Sequence, residues 1–440
     1  MAREMYGDQV VPQFTLLKGD CLETLKTLED CSIDSVLCDP PYHLQSIVDR
    51  YGDTDSAPPK FGSDGAFQRS SRGFMGKTWD GGDIAFRPDV WRECYRVLKP
   101  GGHLVAFGDT RTMHRITCAI EDAGFQVRDQ LHWLYFSGFP KNHNISAAID
   151  AKILVGGSSS RKLRKAELLY GDDEYSFKGR NNGILGQPVE YQRKVKQVLT
   201  PEAKKWLGWG TALKPACEPA CLARKPLEKG LTIAENVMKW GTGGINIEES
   251  RFAYGDPCWV GPSQDNTERP AGVSPTNRIT YGKFRADSGN ERIILGGSEI
   301  GRWPANVYQC PKPSRAEKEA GLDHLVKKTG FDLNGRKPEN VGHLNPRAGT
   351  GRTATAIANT HPTIKPTKLF EWIARLITPC GGVILDPFLG SGTTAVSGLT
   401  LGFDVVGCEL TEEYWPIIEG RVNHALKQWY NANAQYKLFT

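Results

Sequence analysis

The sequence predicts an α/β fold: a parallel sheet with helices on both faces, assembled from the two ends of the chain around a large insertion. Three observations carry this. Strand-like and helix-like segments alternate up to about Asn142. From about His143 to Thr360 the periodicity gives way to stretches rich in Gly, Asn, Pro, Arg and Lys. After Thr360 the alternation resumes. Alternation of this kind calls for parallel strands, because each crossover helix must pack back on the sheet.

The elements follow in order. FTLLKG reads as a strand, and Cys21–Leu28 as a helix with apolar positions three and four apart. SVLCD is a short apolar strand. DVWRECYRVLKPGG is an amphipathic helix expected to stop at Pro100-Gly101-Gly102. HLVAFG, MHRITCAIEDAG and VRDQLHWLYF continue as strand, helix and strand. Within the middle region only CEPACLARK, near residues 212–227, reads as a further strand. Thr367–Thr378 is then a helix, GVILD a strand, Thr393–Leu401 a helix, FDVVGCE a strand and Glu412–Trp429 a long helix. The expected domains are therefore 1–142 with 361–440, to which the strand near 212–227 is added as the last strand of the sheet and hence as scaffold, and an inserted region, 143–360.

Composition narrows the class. Hydrophobic residues make up 39% and charged residues 24% of 440, as in ordinary globular proteins. No run of about 18 apolar residues suggests a membrane span. MAREMYGDQVVPQF lacks the apolar stretch of a secretory signal, so a cytoplasmic setting in a prokaryotic or phage-infected cell is expected. The 11 cysteines form no C-x-x-C pair, and Cys217 and Cys221 have no His cluster beside them. Neither a metal site nor a disulfide framework is expected. Ala151–Arg352 carries 33 Lys and Arg against 22 Asp and Glu, while the remainder is net acidic. A basic middle in an acidic frame fits a polyanionic partner, or a solvated basic face.

Near the C-terminus a strand runs into Asp386-Pro387-Phe388-Leu389-Gly390-Ser391-Gly392-Thr393-Thr394-Ala395 and then a helix. Glycines at this spacing allow a tight turn and close approach of a ligand. Glu409 ends the next strand, where a carboxylate can accept hydrogen bonds from ribose hydroxyls. The pattern fits a nucleoside-bearing cofactor, with a nicotinamide dinucleotide and a sulfonium nucleoside both open.

The strand ending at Cys38 leads into Asp39-Pro40-Pro41-Tyr42. Two prolines fix φ and remove two N–H donors, so the segment is stiff. It offers the Asp39 carboxylate and the Pro40 carbonyl as acceptors, and Tyr42 as a flat face. An exocyclic amino group of a base needs two acceptors and a stacking partner, which this tetrapeptide supplies. Such an amine is a poor nucleophile, so positioning and electrostatic preorganisation would dominate its catalysis.

Together the two motifs resemble the β-class S-adenosylmethionine-dependent amino-methyltransferases of DNA, in which the catalytic tetrapeptide precedes the target-recognition region and the F-x-G-x-G-T loop comes last. The resemblance covers about residues 14–142 and 361–426, with the strand near Cys217–Lys225. It implies a Rossmann-like fold with this circularly permuted motif order and S-adenosyl-L-methionine as cofactor. It implies Asp39, Pro40, Pro41 and Tyr42 as catalytic residues. Cofactor contacts are implied for Asp20 (to the adenine amino group), Asp386, Phe388, Gly390, Ser391, Gly392 and Thr393 (around methionine and ribose) and Glu409 (to ribose). Lys365, in His361-Pro362-Thr363-Ile364-Lys365-Pro366, would pair with the methionine carboxylate or else cap a helix in solvent. Leu98-Lys99-Pro100-Gly101-Gly102 resembles a shared structural turn. The implied activity is site-specific methylation of double-stranded DNA on N6 of adenine, of the restriction–modification kind, with cytosine N4 as alternative. A nicotinamide enzyme and a non-catalytic DNA binder are the readings from other classes. A homodimer is left open.

A base within a duplex cannot reach such a pocket and must be flipped out. The loop His43–Asp83, with Lys60, Arg69, Arg72 and Lys77 among Phe61, Phe67, Phe74 and Trp79, is expected to close over it. Phosphate anchors are expected among Arg161, Lys162, Arg164, Lys165, Arg193, Lys194, Lys196, Lys204, Lys205, Arg278, Arg285, Arg292, Arg302, Arg315 and Arg352.

Overall fold

The computed structural model describes residues 5–6, 9–42, 83–138, 142–157, 170–180, 188–196, 198–253, 256, 258, 268–270, 292–294, 302–329 and 356–436. Eight strands form the main sheet: β1 (Phe14–Lys18), β2 (Ile33–Cys38), β3 (Leu98–Phe107), β4 (Gln126–Leu134), β5 (Cys217–Arg224), β6 (Val307–Gln309), β7 (Val383–Asp386) and β8 (Asp404–Glu409). Their order across the sheet is β6-β4-β5-β3-β2-β7-β8-β1. Every neighbouring pair is parallel except those of β5, which runs antiparallel to both β3 and β4. The sheet is thus mixed rather than purely parallel. Alternation of helix and strand could not reveal this, because β5 enters from the region where the alternation is lost.

The two chain ends meet at the centre. β2 pairs with β7 in parallel, Ser35 opposite Ile384 and Val36 opposite Leu385. Asp34 fastens the junction: its carboxylate accepts the Val383 N–H at 2.8 Å and the Lys99 ammonium at 2.6 Å. Both faces of the sheet are covered, and successive residues divide between them as period two requires. Leu37, Val105 and Phe107 join one core with helices α4 (Thr367–Ile377), α5 (Thr393–Thr400) and α6 (Trp415–Tyr436). Val36, Cys38, Leu104 and Ala106 join the other with α2 (Pro88–Val97) and α3 (Met113–Asp122). Each apolar side chain buried in these layers contributes about 1.5–3 kcal/mol.

Several boundaries differ from the sequence reading. The segment expected as one helix, Cys21–Leu28, is a single α-turn, α1 (Cys21–Thr24), followed by a 3-10 turn, Leu25–Thr27. Pro100-Gly101-Gly102 does not terminate α2; β3 already begins at Leu98 and includes all three residues. Proline is tolerated there because residues 99–102 fall in a register shift of the β2–β3 pairing, between Leu98 opposite Ile33 and His103 opposite Ser35. β6 was not legible as a strand at all, being three residues long.

By compactness the chain divides into Met1–Tyr135 with Cys217–Thr440, and a second unit, Phe136–Ala216. β5 belongs to the unit that holds the sheet, as read from the sequence; the bounds differ from the 143–360 insertion because β6 and the helix Ile233–Trp240 belong to that unit as well. The second unit contains the helix Ile145–Val155 and a two-stranded antiparallel pairing of Tyr170–Arg180 with Pro188–Lys196. Loop 43–82 and the side chains of Arg161, Lys162, Arg164, Lys165, Arg193, Lys194, Lys196, Arg278, Arg285, Arg292 and Arg352 lie outside the described residues. Among the described residues no helix is long and apolar enough to cross a membrane.

Replacing Asp34 with alanine should leave the Val383 N–H and the Lys99 ammonium without their partner. A loss of about 3 kcal/mol is expected, read as a lower urea midpoint at unchanged slope.

Candidate active site

The tetrapeptide and the glycine loop leave the sheet at the same edge, because β2 and β7 are parallel neighbours and each loop follows the C-terminal end of its strand. Asp386 closes the base of the glycine loop. Its Oδ1 accepts the Phe388 N–H at 2.9 Å and its Oδ2 the Thr394 hydroxyl at 2.5 Å. Burial pushes the Asp386 carboxyl up to about 7, against the pull of those two donors. Next to it, Glu409 at the end of β8 accepts the Gly390 N–H at 2.7 Å and the Thr411 N–H at 2.7 Å. Burial also raises the Glu409 carboxyl.

Gly390 and Gly392 both lie at positive φ, +57° and +82°. A Cβ on Gly390 would come within 2.8 Å of the His361 ring, so glycine is required by contact as well as conformation. A Cβ on Gly392 would meet Ile418 of α6 at an ordinary 3.6 Å. Glycine is favoured at 392 by its left-handed backbone angle as the residue preceding α5.

Asp20 caps α1, its Oδ1 accepting the Leu22 N–H at 2.8 Å, and the adjoining Gly19 N–H donates to the Glu409 carbonyl at 3.0 Å. The expected cofactor residues Asp20, Asp386, Phe388, Gly390, Ser391, Gly392, Thr393 and Glu409 are thus gathered at the C-terminal ends of β1, β7 and β8.

Lys365 is placed differently. Its side chain is only 5% exposed, so it is no solvated cap; the first N–H of α4, on Thr367, is met instead by Glu317 at 2.7 Å. The Lys365 ammonium lies 2.5 Å from Asp39 Oδ2, 2.8 Å from the Tyr42 hydroxyl oxygen and 3.2 Å from Glu218 Oε2. Those three acceptors match its three N–H bonds. The Tyr42 hydroxyl in turn donates to Asp39 Oδ1 at 2.7 Å, and Thr112 donates to the Tyr42 carbonyl at 3.2 Å. Pro40 is buried and Pro41 half-buried beside them.

The electrostatics of this cluster follow from burial. Desolvation raises the Asp39 carboxyl, and Lys365 offsets this only in part. For Lys365 burial works toward the neutral amine, yet Asp39 and Glu218 outweigh it and hold the ammonium above its ordinary range. Burial likewise opposes the Glu218 carboxylate, but Lys365 and Lys312 keep it below its ordinary range.

Two residues of the site escaped the sequence reading. Glu218 lies in a strand read only as scaffold; a carboxylate within the apolar run CEPACLAR was the signal available. Arg421, 2% exposed on α6, donates to the Ser391 carbonyl at 2.6 Å and to the Ser391 hydroxyl at 3.0 Å. It fixes the loop from beneath and makes no ion pair with a described residue. Burial brings its guanidinium down to about 10, still protonated at neutral pH. Its position on the same stripe as Ile417, Ile418 and Val422 was the sign of a buried arginine.

Gly390→Ala should destabilise the protein by about 1–2 kcal/mol from the left-handed backbone alone, plus the clash with His361. Adding His361→Ala should recover the steric part and not the backbone part, read by thermal melting of the single and double variants.

The family model for DNA methylases of the N6/N4 type matches residues 33–420. The type II methyltransferase M.ScaI of Streptomyces caespitosus is 37% identical over 89 residues, 20% of this chain and 29% of that protein. The type II methyltransferase M.HindIII of Haemophilus influenzae is 23% identical over 249 residues, 52% of this chain and 64% of that protein. The chain thus spans less than two thirds of the length of either relative. Among solved structures, the cytosine-N4-specific PvuII DNA methyltransferase aligns over 97% of both chains with 13% identity and a TM-score of 0.39. The family match extends from β2 through the glycine loop into α6, and the chain belongs to the DNA methylase family of the N6/N4 type.

Proposed function

We propose that this protein transfers a methyl group from S-adenosylmethionine to N6 of adenine in double-stranded DNA, acting on a base flipped out of the helix. The observation that carries the reading is the parallel pairing of β2 with β7, which sets Asp39-Pro40-Pro41-Tyr42 beside the glycine loop.

The residues present fit the cofactor. Glu409 has a buried carboxylate facing the Gly390 N–H, suited to ribose hydroxyls. Gly19-Asp20 adjoins it for the nucleobase. The buried Arg421 cation under Ser391 makes the loop favourable for a carboxylate. When bound, the cofactor supplies a methyl on a sulfonium sulfur; the N–C bond forms from the amine lone pair as the C–S bond breaks and its electron pair returns to sulfur.

The protein's own contribution is positioning. The Asp39 carboxylate and the Pro40 carbonyl accept the two amine hydrogens, favouring a pyramidal nitrogen with its lone pair directed at the methyl. The methylated nitrogen carries a positive charge until it sheds one proton, for which Asp39, with its carboxyl raised by burial, is the adjacent base. Tyr42 supplies the stacking surface. Asp in the first position of the tetrapeptide supports adenine over cytosine, through the resemblance alone.

Duplex recognition is assigned to the Phe136–Ala216 unit, with loop 43–82 closing over the flipped base. That unit has fourteen Lys and Arg against seven Asp and Glu, as contact with phosphates requires. It also exposes Trp206, Leu207 and Trp209 next to the exposed Lys204 and Lys205, a surface suited to bases.

Incubation of the protein with labelled S-adenosylmethionine and mixed DNA, followed by nucleoside mass spectrometry, tests the reading. N6-methyladenine is expected. N4-methylcytosine would reassign the base, and absence of label from both would overturn the activity. Asp39→Ala should lower methyl transfer at least a hundredfold to about a thousandfold while cofactor affinity in calorimetry stays near wild type. A fully active variant would remove Asp39 from the mechanism.

A further inference from the structure

The Asp39–Lys365 contact poses a problem for the reaction just described. An ammonium on the catalytic carboxylate competes with the target amine for the same acceptor. It also opposes the positive charge that grows on the amine nitrogen during transfer. A second anion is in place to take the lysine. Glu218 Oε2 is 3.2 Å from Lys365 and 3.4 Å from the Tyr42 hydroxyl, on the antiparallel strand β5. Its other oxygen, Oε1, is 3.5 Å from Lys312, a half-exposed lysine whose ammonium lies 4.2 Å over the Tyr135 ring. Two carboxylates and two ammonium groups therefore alternate in one chain: Asp39, Lys365, Glu218, Lys312. Lys365 sits at the junction, with a partner on either side.

We propose that Glu218 is a positioning residue for methyl transfer: it draws the Lys365 ammonium off Asp39 as the target amine engages, leaving the carboxylate available and the lysine charge compensated. This rests on the assignment of Asp39 as acceptor of the amine. Glu218 itself touches neither substrate nor cofactor in this scheme and acts through Lys365. Lys312, bound to the outer oxygen, limits how strongly Glu218 can pull.

The scheme has a definite sign. Glu218 disfavours ionisation of Asp39, directly as a like charge and indirectly by sharing Lys365. Removing its charge concentrates Lys365 on Asp39, which becomes less basic and titrates at lower pH. Removing Lys312 does the reverse: Glu218 pulls harder on Lys365 and Asp39 titrates at higher pH. The other titratable groups facing the chain are Tyr42, Cys38, Asp386, Cys217, Tyr135, Asp109 and, beside Lys312, Lys318. Loss of the Glu218 charge also lowers Tyr42, Tyr135 and Cys217, but all three ionise far above the acid limb of the rate, and neither Glu218 nor Lys312 is among the groups that shift Asp386, so none of them accounts for shifts of opposite sign there.

The test uses the full chain with Glu218→Gln and Lys312→Met. The Asp39 carboxyl is followed by carbon-13 NMR titration in the protein alone, and single-turnover methyl transfer to DNA is measured across pH with saturating S-adenosylmethionine. Glu218→Gln should move the Asp39 titration and the acid limb of the rate to lower pH. It should also reduce the plateau rate about thirtyfold, less than the roughly hundredfold or greater loss on removing a group that touches the reacting atoms directly, with cofactor affinity unchanged. Lys312→Met, at a half-exposed position, should move both midpoints upward. An unshifted Asp39 titration in both variants overturns the proposal. So does a Glu218→Gln variant whose rate loss is matched by lost cofactor affinity with the acid limb in place, the signature of a merely structural role. If the unmodified protein methylates no DNA, the assignment of the site falls instead, and the NMR titration still reports whether Glu218 controls Asp39.

Discussion

The parallel pairing of Ile33–Cys38 with Val383–Asp386 is the constraint on which the rest depends. Each strand alone ends in an ordinary loop. Side by side they put a stiff acceptor segment and a glycine turn at one sheet edge, although nearly the whole chain separates them. Asp34 ties the pair at its entry by serving Val383 and Lys99 together, and the Thr394 hydroxyl, 3.4 Å from the Leu37 carbonyl, lies between loop and strand at the other end. Both faces of the sheet are buried, so a slip of one residue would turn Leu37 and Val36 to the wrong cores. Register and site geometry are therefore one specification.

A second consequence is electrostatic. Burying Asp39 without a partner would cost several kcal/mol and neutralise it. Lys365 favours the charged carboxylate and offsets part of that burial, and Glu218 with Lys312 balances the lysine. The glycine loop is treated differently. There the fixed charge is Arg421, bound to the carbonyl and hydroxyl of Ser391, and the nearby carboxylates of Asp386 and Glu409 are spent on backbone and hydroxyl donors. One side of the site is a balanced ion chain and the other a turn with a buried cation bound beneath it. In the proposed reading the first side meets the target amine and the second the carboxylate of the cofactor.

Much of this was legible in the sequence because it is local. Alternating apolar runs marked seven of the eight strands, and D-P-P-Y and G-S-G-T announced the two loops. What escaped was non-local. The direction of β5 depends on a connection through the Phe136–Ala216 unit, which no periodicity encodes. Lys365 looked like a ligand-binding or solvated lysine, since nothing in H-P-T-I-K-P says that Asp39 and Glu218 converge on it. Glu218 was absorbed into a strand, and Arg421 into an amphipathic helix, each as a single polar residue on an apolar stripe. Such isolated exceptions were the only local trace of the site's charge network.

The most direct measurement of the central claim is a crystal structure of the protein with S-adenosylhomocysteine. The account places the adenosine between Asp20 and Glu409 and the sulfur toward Asp39 and Tyr42, at the C-terminal edge shared by β2 and β7. A ligand bound at the opposite edge of the sheet, or with its sulfur directed away from Asp39, would contradict it.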